Sequence, residues 1–337
     1  MKNIIHKFFI SMLFLSVLCP AFSQINYWGD VDKFVEEQTK RSFSLINETL
    51  NQNAPALEEP LARKAALMNL DAILHDPRND NSPALPQFIQ TRMALILKEL
   101  NKPVEEGVKI YKLYNHSFIA QTKSVVVAFD LFRGGKGDNP YILNEQMQKI
   151  VDKCDIMFLT HNHSDHCDPV VIEMFLNAGK KVIATTGILA NKNYSLQYMR
   201  SDNIIKETID LQKGSKLEVT IFPGHQSNLL NNVYTVKSPE GYNITYVGDQ
   251  YSNDDFEWID VAKEHATTDV LLINCWTIDP VRVVKGFDPK LVIPGHENEM
   301  NHSIDHREAH WLTYSRFERV NRNKLFMTWG EYYHYKK

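Results

Sequence analysis

The apolar and polar positions divide the chain into stretches of different period. Residues 30–101 carry three helical patterns, at about 30–51, 58–75 and 84–101. In the third, Phe88, Met93, Leu95, Ile96, Leu97 and Leu100 form one broad apolar face, and Pro55, Pro60, Pro77, Pro83, Pro86 and Pro103 punctuate the region. From Gly107 the period shortens. Residues 108–114 alternate, and 124–130 are continuous and β-branched. Short apolar runs follow at 156–159, 181–185, 217–222, 243–247, 269–274 and 290–293. These predict buried strands. Residues 169–175 predict a helix entry, residues from about 302 to 320 a further helix, and 324–329 a closing strand.

The chemistry-bearing residues gather where those strands end. The run at 156–159 leads into Thr160, His161, Asn162, His163, Ser164, Asp165, His166, Cys167 and Asp168, which reads HxHxDHxD. A loop at a strand's C-terminal end is exposed yet anchored on both sides, and open α/β folds usually place chemistry there. The spacing lets His161 and His163 converge on one ion while Asp165 and His166 point to a second beside it. Imidazole nitrogen with carboxylate oxygen suits zinc, manganese or iron better than calcium or magnesium. A metal-free polar loop is the plainer reading, but three histidines and an aspartate within six residues weigh against it. Three later strand ends add His225 after Gly224, Asp249 after Gly248 and His296 after Gly295. A glycine lets backbone approach closely, and the Asp249 carboxylate can give one oxygen to each ion. Each Gly-His or Gly-Asp pair is a weak signal alone, and their shared context makes the set strong.

These motifs resemble those of the metallo-β-lactamase superfamily of metal-dependent hydrolases, over residues 107–337. The form of residues 160–168 is most similar to the branch holding ascorbate-6-phosphate lactonases and the phospholipase D that acts on N-acyl-phosphatidylethanolamines. The resemblance implies a four-layer αββα sandwich, here with an N-terminal helical extension. It implies two divalent ions, zinc first, with manganese and iron as alternatives. His161, His163 and His225 would hold one ion and Asp165, His166 and His296 the other, with Asp249 bridging. Asp130 matches an acid that supports the metal loop, and His116 a position that faces the site from below. A lone histidine in a strand pair is more often structural.

The expected nucleophile follows from the ions. A bound metal lowers the pKa of water from 15.7 to about 7, so a hydroxide exists at neutral pH without a side-chain base. It would attack a carbonyl carbon or a phosphorus held against the second ion, with Asp165 or Asp249 orienting it or moving its proton. The leading expectation is therefore an exported hydrolase of a phosphodiester, phospholipid or lactone. The competitors are a periplasmic β-lactamase, against which the bridging Asp249 and the Asp168 ending count, and a binding protein that keeps the fold without turnover. His302, His306 and His310 fall four apart and would share one helix face, where they could meet a substrate anion or support the ligands; an exposed face weighs equally. Arg307 is a further anion candidate, and Asp168 a candidate for substrate contact or support of the ligands.

Composition adds location and exclusions. Residues 1–23 begin with Lys2 and Lys7 and continue through an apolar core to Ala21, Phe22 and Ser23, which predicts a secretory signal cleaved before Gln24. The apolar run is short for a bilayer, and Leu18 before Cys19 is bulky for lipidation. A periplasmic or secreted protein with no spanning segment after cleavage is expected. The net charge is −4, and losing two lysines and no acid leaves −6. With Lys and Arg spread evenly, a nucleic-acid partner is not expected, and the substrate is a small molecule or lipid. The mature chain keeps Cys154, Cys167 and Cys275, an odd number that implies no complete disulfide framework. The expected organisation is a signal at 1–23, a helical extension at 24–106 that caps the catalytic domain, and a hydrolase domain at 107–337.

Overall fold

The structure, a computed structural model, describes residues 29–337 apart from Lys136, Asp138 and Lys213. The predicted signal at 1–23, Cys19 included, lies outside the described residues. Phe43–Lys337 make one compact unit.

Short apolar runs become short strands buried on both faces. The first sheet holds β1 (Val108–Lys112), β2 (Phe118–Gln121), β3 (Val126–Phe129), β4 (Ile156–Leu159), β5 (Lys181–Ala184) and β6 (Gln197–Tyr198) in that order. The chain then crosses to a second sheet with β7 (Ile205–Asp210) and β8 (Lys216–Phe222), makes a small hairpin of β9 (His225–Gln226) and β10 (Leu229–Leu230), and continues with β11 (Val233–Lys237), β12 (Asn243–Tyr246), β13 (Val270–Asn274), β14 (Leu291–Gly295) and β15 (Asn323–Lys324). β16 (Glu331–Tyr335) returns to the first sheet and pairs antiparallel with β1, Ile110 opposite Tyr333. β3, β4 and β5 are mutually parallel, as are β12, β13 and β14, so their C-terminal ends share one rim in each sheet.

Side-chain alternation sorts the core into layers. Phe118, Phe129, Phe158, Ile183, Ile244, Leu272 and Ile293 from the two sheets pack together. Their neighbours Ile119, Ala128, Met157 and Val182 turn to the helices on the first sheet's outer side, and Leu271, Ile273 and Val292 meet Phe256, Val283 and Phe287 on the second. The result is helix, sheet, sheet, helix, as the resemblance implied. Each fully buried side chain of this size contributes about 1.5–3 kcal/mol.

Helices Val31–Gln52, Leu61–Leu74 and Ala84–Leu100 lie where the 3.6-residue period puts them. From Phe43 onward they pack on the first sheet through Leu67, Leu70, Phe88, Ile89, Met93 and Ile96. A buried charge cluster joins them to the last strand. Arg63 donates to both Glu331 oxygens at 2.7 and 2.5 Å, and Arg92 lies 3.3 Å from the same carboxylate and donates to Trp329 O at 2.9 Å. No described helix is long and apolar enough to cross a membrane. Cys154, Cys167 and Cys275 are free thiols, all buried.

The closing strand is a correction. Residues 324–329 were expected to form it, but only Asn323–Lys324 pairs, with β14, and the sheet is closed by Glu331–Tyr335. The cause is a turn at Gly330, where φ is 74° and a Cβ would lie 2.3 Å from Arg92 Cβ. The apolar run before it is buried by packing without a ladder.

Candidate metal centre

Four strand ends build the site. β4 delivers residues 160–168, β12 delivers Asp249, β14 delivers His296, and β3 delivers Asp130. The backbone is strained around them. Asn115, Asp130, His296 and Asn298 are non-glycine residues with φ of 57°, 43°, 78° and 59°, a conformation kept only where the surroundings over-determine it. The glycines before the donors have steric reasons. A Cβ on Gly248 would lie 2.5 Å from Thr160 Oγ1, and one on Gly295 would lie 2.3 Å from His116 Nδ1.

The donor atoms fall into overlapping groups. Asp165, His166, Asp249 and His296 form one, and His161, His163 and Asp249 another, with every donor atom of a group within 4.8 Å of the rest. Asp249 therefore stands between them. Its Oδ2 is 3.2 Å from His166 Nε2, 3.5 Å from His296 Nε2 and 3.6 Å from His161 Nε2, and Asp165 Oδ2 is 3.2 Å from His296 Nε2. These are ion-pair distances without hydrogen-bond geometry. The Nε2 atoms of His161, His166 and His296 and Oδ1 of Asp249 are buried with no hydrogen-bond partner. Leaving such a group unsatisfied costs about 1–3 kcal/mol, so converging several into one cradle fits a cation that binds nitrogen and oxygen together.

The surrounding bonds aim these atoms. Asp130 accepts from the Thr160 N–H at 2.8 Å, the Thr160 hydroxyl at 2.5 Å, His166 Nδ1 at 2.8 Å and the Tyr246 hydroxyl at 2.9 Å. A proton held on Nδ1 leaves Nε2 as the ligand atom. Thr160 Oγ1 lies 3.0 Å from His161 Nδ1, with the same consequence. Asn115 Nδ2 donates to Asp165 Oδ2 at 3.0 Å. Burial holds His161 and His116 well below the usual imidazole range. At His296 burial also works downward, but Asp249 and Asp165 outweigh it and hold the ring up at about 10. His166 is raised by the same carboxylates against the same burial. Burial favours protonation of Asp249, and His166 and His296 overcome it and keep the carboxyl well below its ordinary range. A cation in the cradle takes the place of such protons.

Other singled-out residues have different places. His225 is half-buried and outside the groups: its Nδ1 lies 2.7 Å from Asp255 Oδ1 and its Nε2 3.0 Å from Arg200 NH2. His116 lies beneath the site, its ring 5.8 Å from that of His296, 5.9 Å from His166 and 5.0 Å from Tyr246. Asp168 caps helix Pro169–Asn177 through Val170 N and pairs with Arg133 at 2.8 Å. Cys167 is buried outside the groups, and burial pushes its thiol up to about 12.

The shared helix face of His302, His306 and His310 is overturned, because the helix begins only at His310 and a 3-10 turn, Ile304–His306, precedes it. Spacing of four aligns residues only within one continuous helix. His302 alone comes beside the site, its ring 6.1 Å from that of His296. His306 is exposed. His310 Nδ1 lies 2.8 Å from Asp71 Oδ1, an atom that also accepts from Asn298 Nδ2 and His310 N. Asp71, on Leu61–Leu74, thus ties the helical extension to the segment carrying His296. Arg307 is not an available anion partner either. It is buried and spent on Leu74 O, Asp80, Met300 O and His302 O.

Asp71, Asn115, Arg200 and Asp255 were not singled out in the sequence. Asp255 follows Asn253 and Asp254 after a strand end, a faint signal; nothing local marks the others.

Nothing among curated proteins matches the chain. Among solved structures it is similar to Igni18, a metallo hydrolase from the hyperthermophilic archaeon Ignicoccus hospitalis, at 17% identity over 68% of this chain and 99% of that one, with a TM-score of 0.52. It is also similar to a possible metal-dependent hydrolase from Veillonella parvula, at 13% identity over 68% and 100%, with a TM-score of 0.51. At such identities these likenesses establish the fold. The family profile described as the beta-lactamase superfamily domain matches residues 109–296, more than half of the chain and all the strand ends described above, so the chain belongs to the beta-lactamase superfamily, as a hydrolase of its metal-dependent kind.

Proposed function

We propose that the chain is an exported hydrolase that holds two divalent ions, zinc first among them, and cleaves a phosphodiester, phospholipid or lactone. The observation carrying this reading is the convergence of donor atoms from His161, His163, Asp165, His166, Asp249 and His296 on one rim, with Nε2 of His161, His166 and His296 and Oδ1 of Asp249 buried and unpartnered. When bound, such ions supply an activated water and Lewis acidity toward the oxygen on which charge develops.

The side chains do the rest. Asp249 spans both groups and fixes their separation. Asn115 holds one oxygen of Asp165, leaving that carboxylate oriented to position a water or accept its proton. Asp130 fixes the tautomer of His166, and the buried floor of His116 and Tyr246 keeps solvent from below. His163 and His302 are exposed, so substrate enters on their side. The substrate class rests on the form of residues 160–168, which resembles that of the lactonase and phospholipase D branch. Export rests on the signal-like residues 1–23, and the domain reading assigns 24–106 as a helical cap on a hydrolase domain at 107–337.

The test is turnover by the zinc-loaded protein on bis(p-nitrophenyl) phosphate, N-acyl-phosphatidylethanolamine vesicles, a γ-lactone and nitrocefin. One of the first three is expected to turn over, His163→Ala is expected to abolish it, and nitrocefin is expected to remain intact. Preferential opening of nitrocefin would replace this reading with the β-lactamase one. Amino-terminal sequencing of the exported protein checks cleavage before Gln24.

A further inference from the structure

The two donor groups are unequal, and the inequality centres on a cation in the segment between β6 and β7. Arg200 is half-buried. Its NH1 donates to Gly224 O at 3.2 Å and to Asn232 Oδ1 at 3.0 Å, and its NH2 lies 3.0 Å from His225 Nε2. On the other side of the ring, Asp255 accepts from the His225 backbone N–H at 2.7 Å and lies 2.7 Å from Nδ1. The carboxylate draws the ring proton to Nδ1 and leaves Nε2 a bare lone pair, the state in which a histidine binds metal. A guanidinium has five donors and no acceptor, so Nε2 must be the acceptor in its contact with Arg200. His225 is thus prepared as a ligand and already occupied.

An imidazole nitrogen has one lone pair. A zinc–nitrogen bond of about 2.0–2.1 Å and the hydrogen bond from Arg200 need the same one, so they exclude each other. A guanidinium stays charged at any accessible pH, so it also repels a divalent ion next to it. Without His225 the His161, His163 and Asp249 group offers three donors, and His163 is exposed. The Asp165, His166, Asp249 and His296 group offers four, with a partly exposed Asp165 and three buried residues. We infer that Arg200 competes with metal for His225 Nε2, so that the ions load in sequence: first at Asp165, His166, Asp249 and His296, then at His161, His163, Asp249 and His225, once the arginine swings away. The inference rests on the metal-centre reading above and adds a positioning residue, Arg200, which sets the occupancy of the second site.

The experiment is a titration of the metal-free full chain with Co(II), followed by its d–d absorbance and by ion counts, for wild type and Arg200→Gln. Wild type is expected to show two steps, the second weaker by at least about tenfold, and Arg200→Gln to strengthen the second by roughly tenfold while leaving the first unchanged. The unchanged first step reports an intact fold. Arg200→Lys, which keeps the charge but not the fork of donors, should fall between them. Loading of both ions together in wild type, or a second step indifferent to both substitutions, overturns the inference and leaves the binuclear reading intact. Absence of any cobalt step in wild type overturns both.

Discussion

On one side of Asp249 stand Asp165, His166 and His296, which are walled in. Asp130 fixes His166, Asn115 fixes Asp165, and the strained backbone at His296 is followed by Asn298, which Asp71 holds. On the other side stand His161 and the exposed His163, and beyond them His225, turned to Arg200. Both groups have a carboxylate or hydroxyl that selects the Nε2 tautomer, so both are aimed. They differ in what surrounds the aim. The first is buried except at the partly exposed Asp165, whereas the second opens to solvent at His163 and, on the inference above, depends on one half-buried arginine. On the proposed function, an enclosed site suits an ion that stays, and an open one suits the ion that meets substrate.

The residue shared by both groups should break the comparison most completely. Asp249→Ala is expected to abolish turnover and to weaken both ion sites, since it removes the only donor common to the two; calorimetry with zinc would read the loss. Next in size is Asp130→Asn. An amide in that place cannot accept from both Thr160 groups, His166 and Tyr246 as the carboxylate does, and metal affinity should fall about 10–100-fold. The fall should concentrate in the first cobalt step. The smallest effect on metal is expected from Asp71→Ala, which leaves buried donors on Asn298 and His310 unpaired. It should cost about 3 kcal/mol of stability, read by urea unfolding, with a severalfold weakening of the first step and none of the second.

Much of this site was legible because its chemistry is local. An apolar run of four followed by HxHxDHxD places a loop at a strand end, and the Gly248-Asp249 and Gly295-His296 pairs repeat that arrangement. The buried strands were legible in runs apolar at every position, whereas their αββα layering came from the resemblance of the metal-loop motifs to a known superfamily. Long-range contacts were not. The pairing of β16 with β1 joins residues more than two hundred apart, and no local pattern distinguishes 331–335 from the more apolar 324–329. Arg200 sits in the mixed segment after β6, where nothing in the neighbouring residues says that its guanidinium reaches His225. The spacing of His302, His306 and His310 misled because a helix was assumed across 304–309, where the chain makes a 3-10 turn and then extends. Asp71 was invisible for the opposite reason: within its own helix it looks like an ordinary polar residue, and only the fold brings it to His310 and Asn298.

The central claim is that this rim holds two divalent ions, and the direct measurement is metal content of the purified chain by mass spectrometry, for wild type and Asp249→Ala, after reconstitution with zinc, manganese or iron. Close to two ions per wild-type chain at saturating metal and a marked fall in the variant are expected. Little or no bound metal in the wild type under all three reconstitutions would contradict the claim, leaving the fold with no source for its nucleophile.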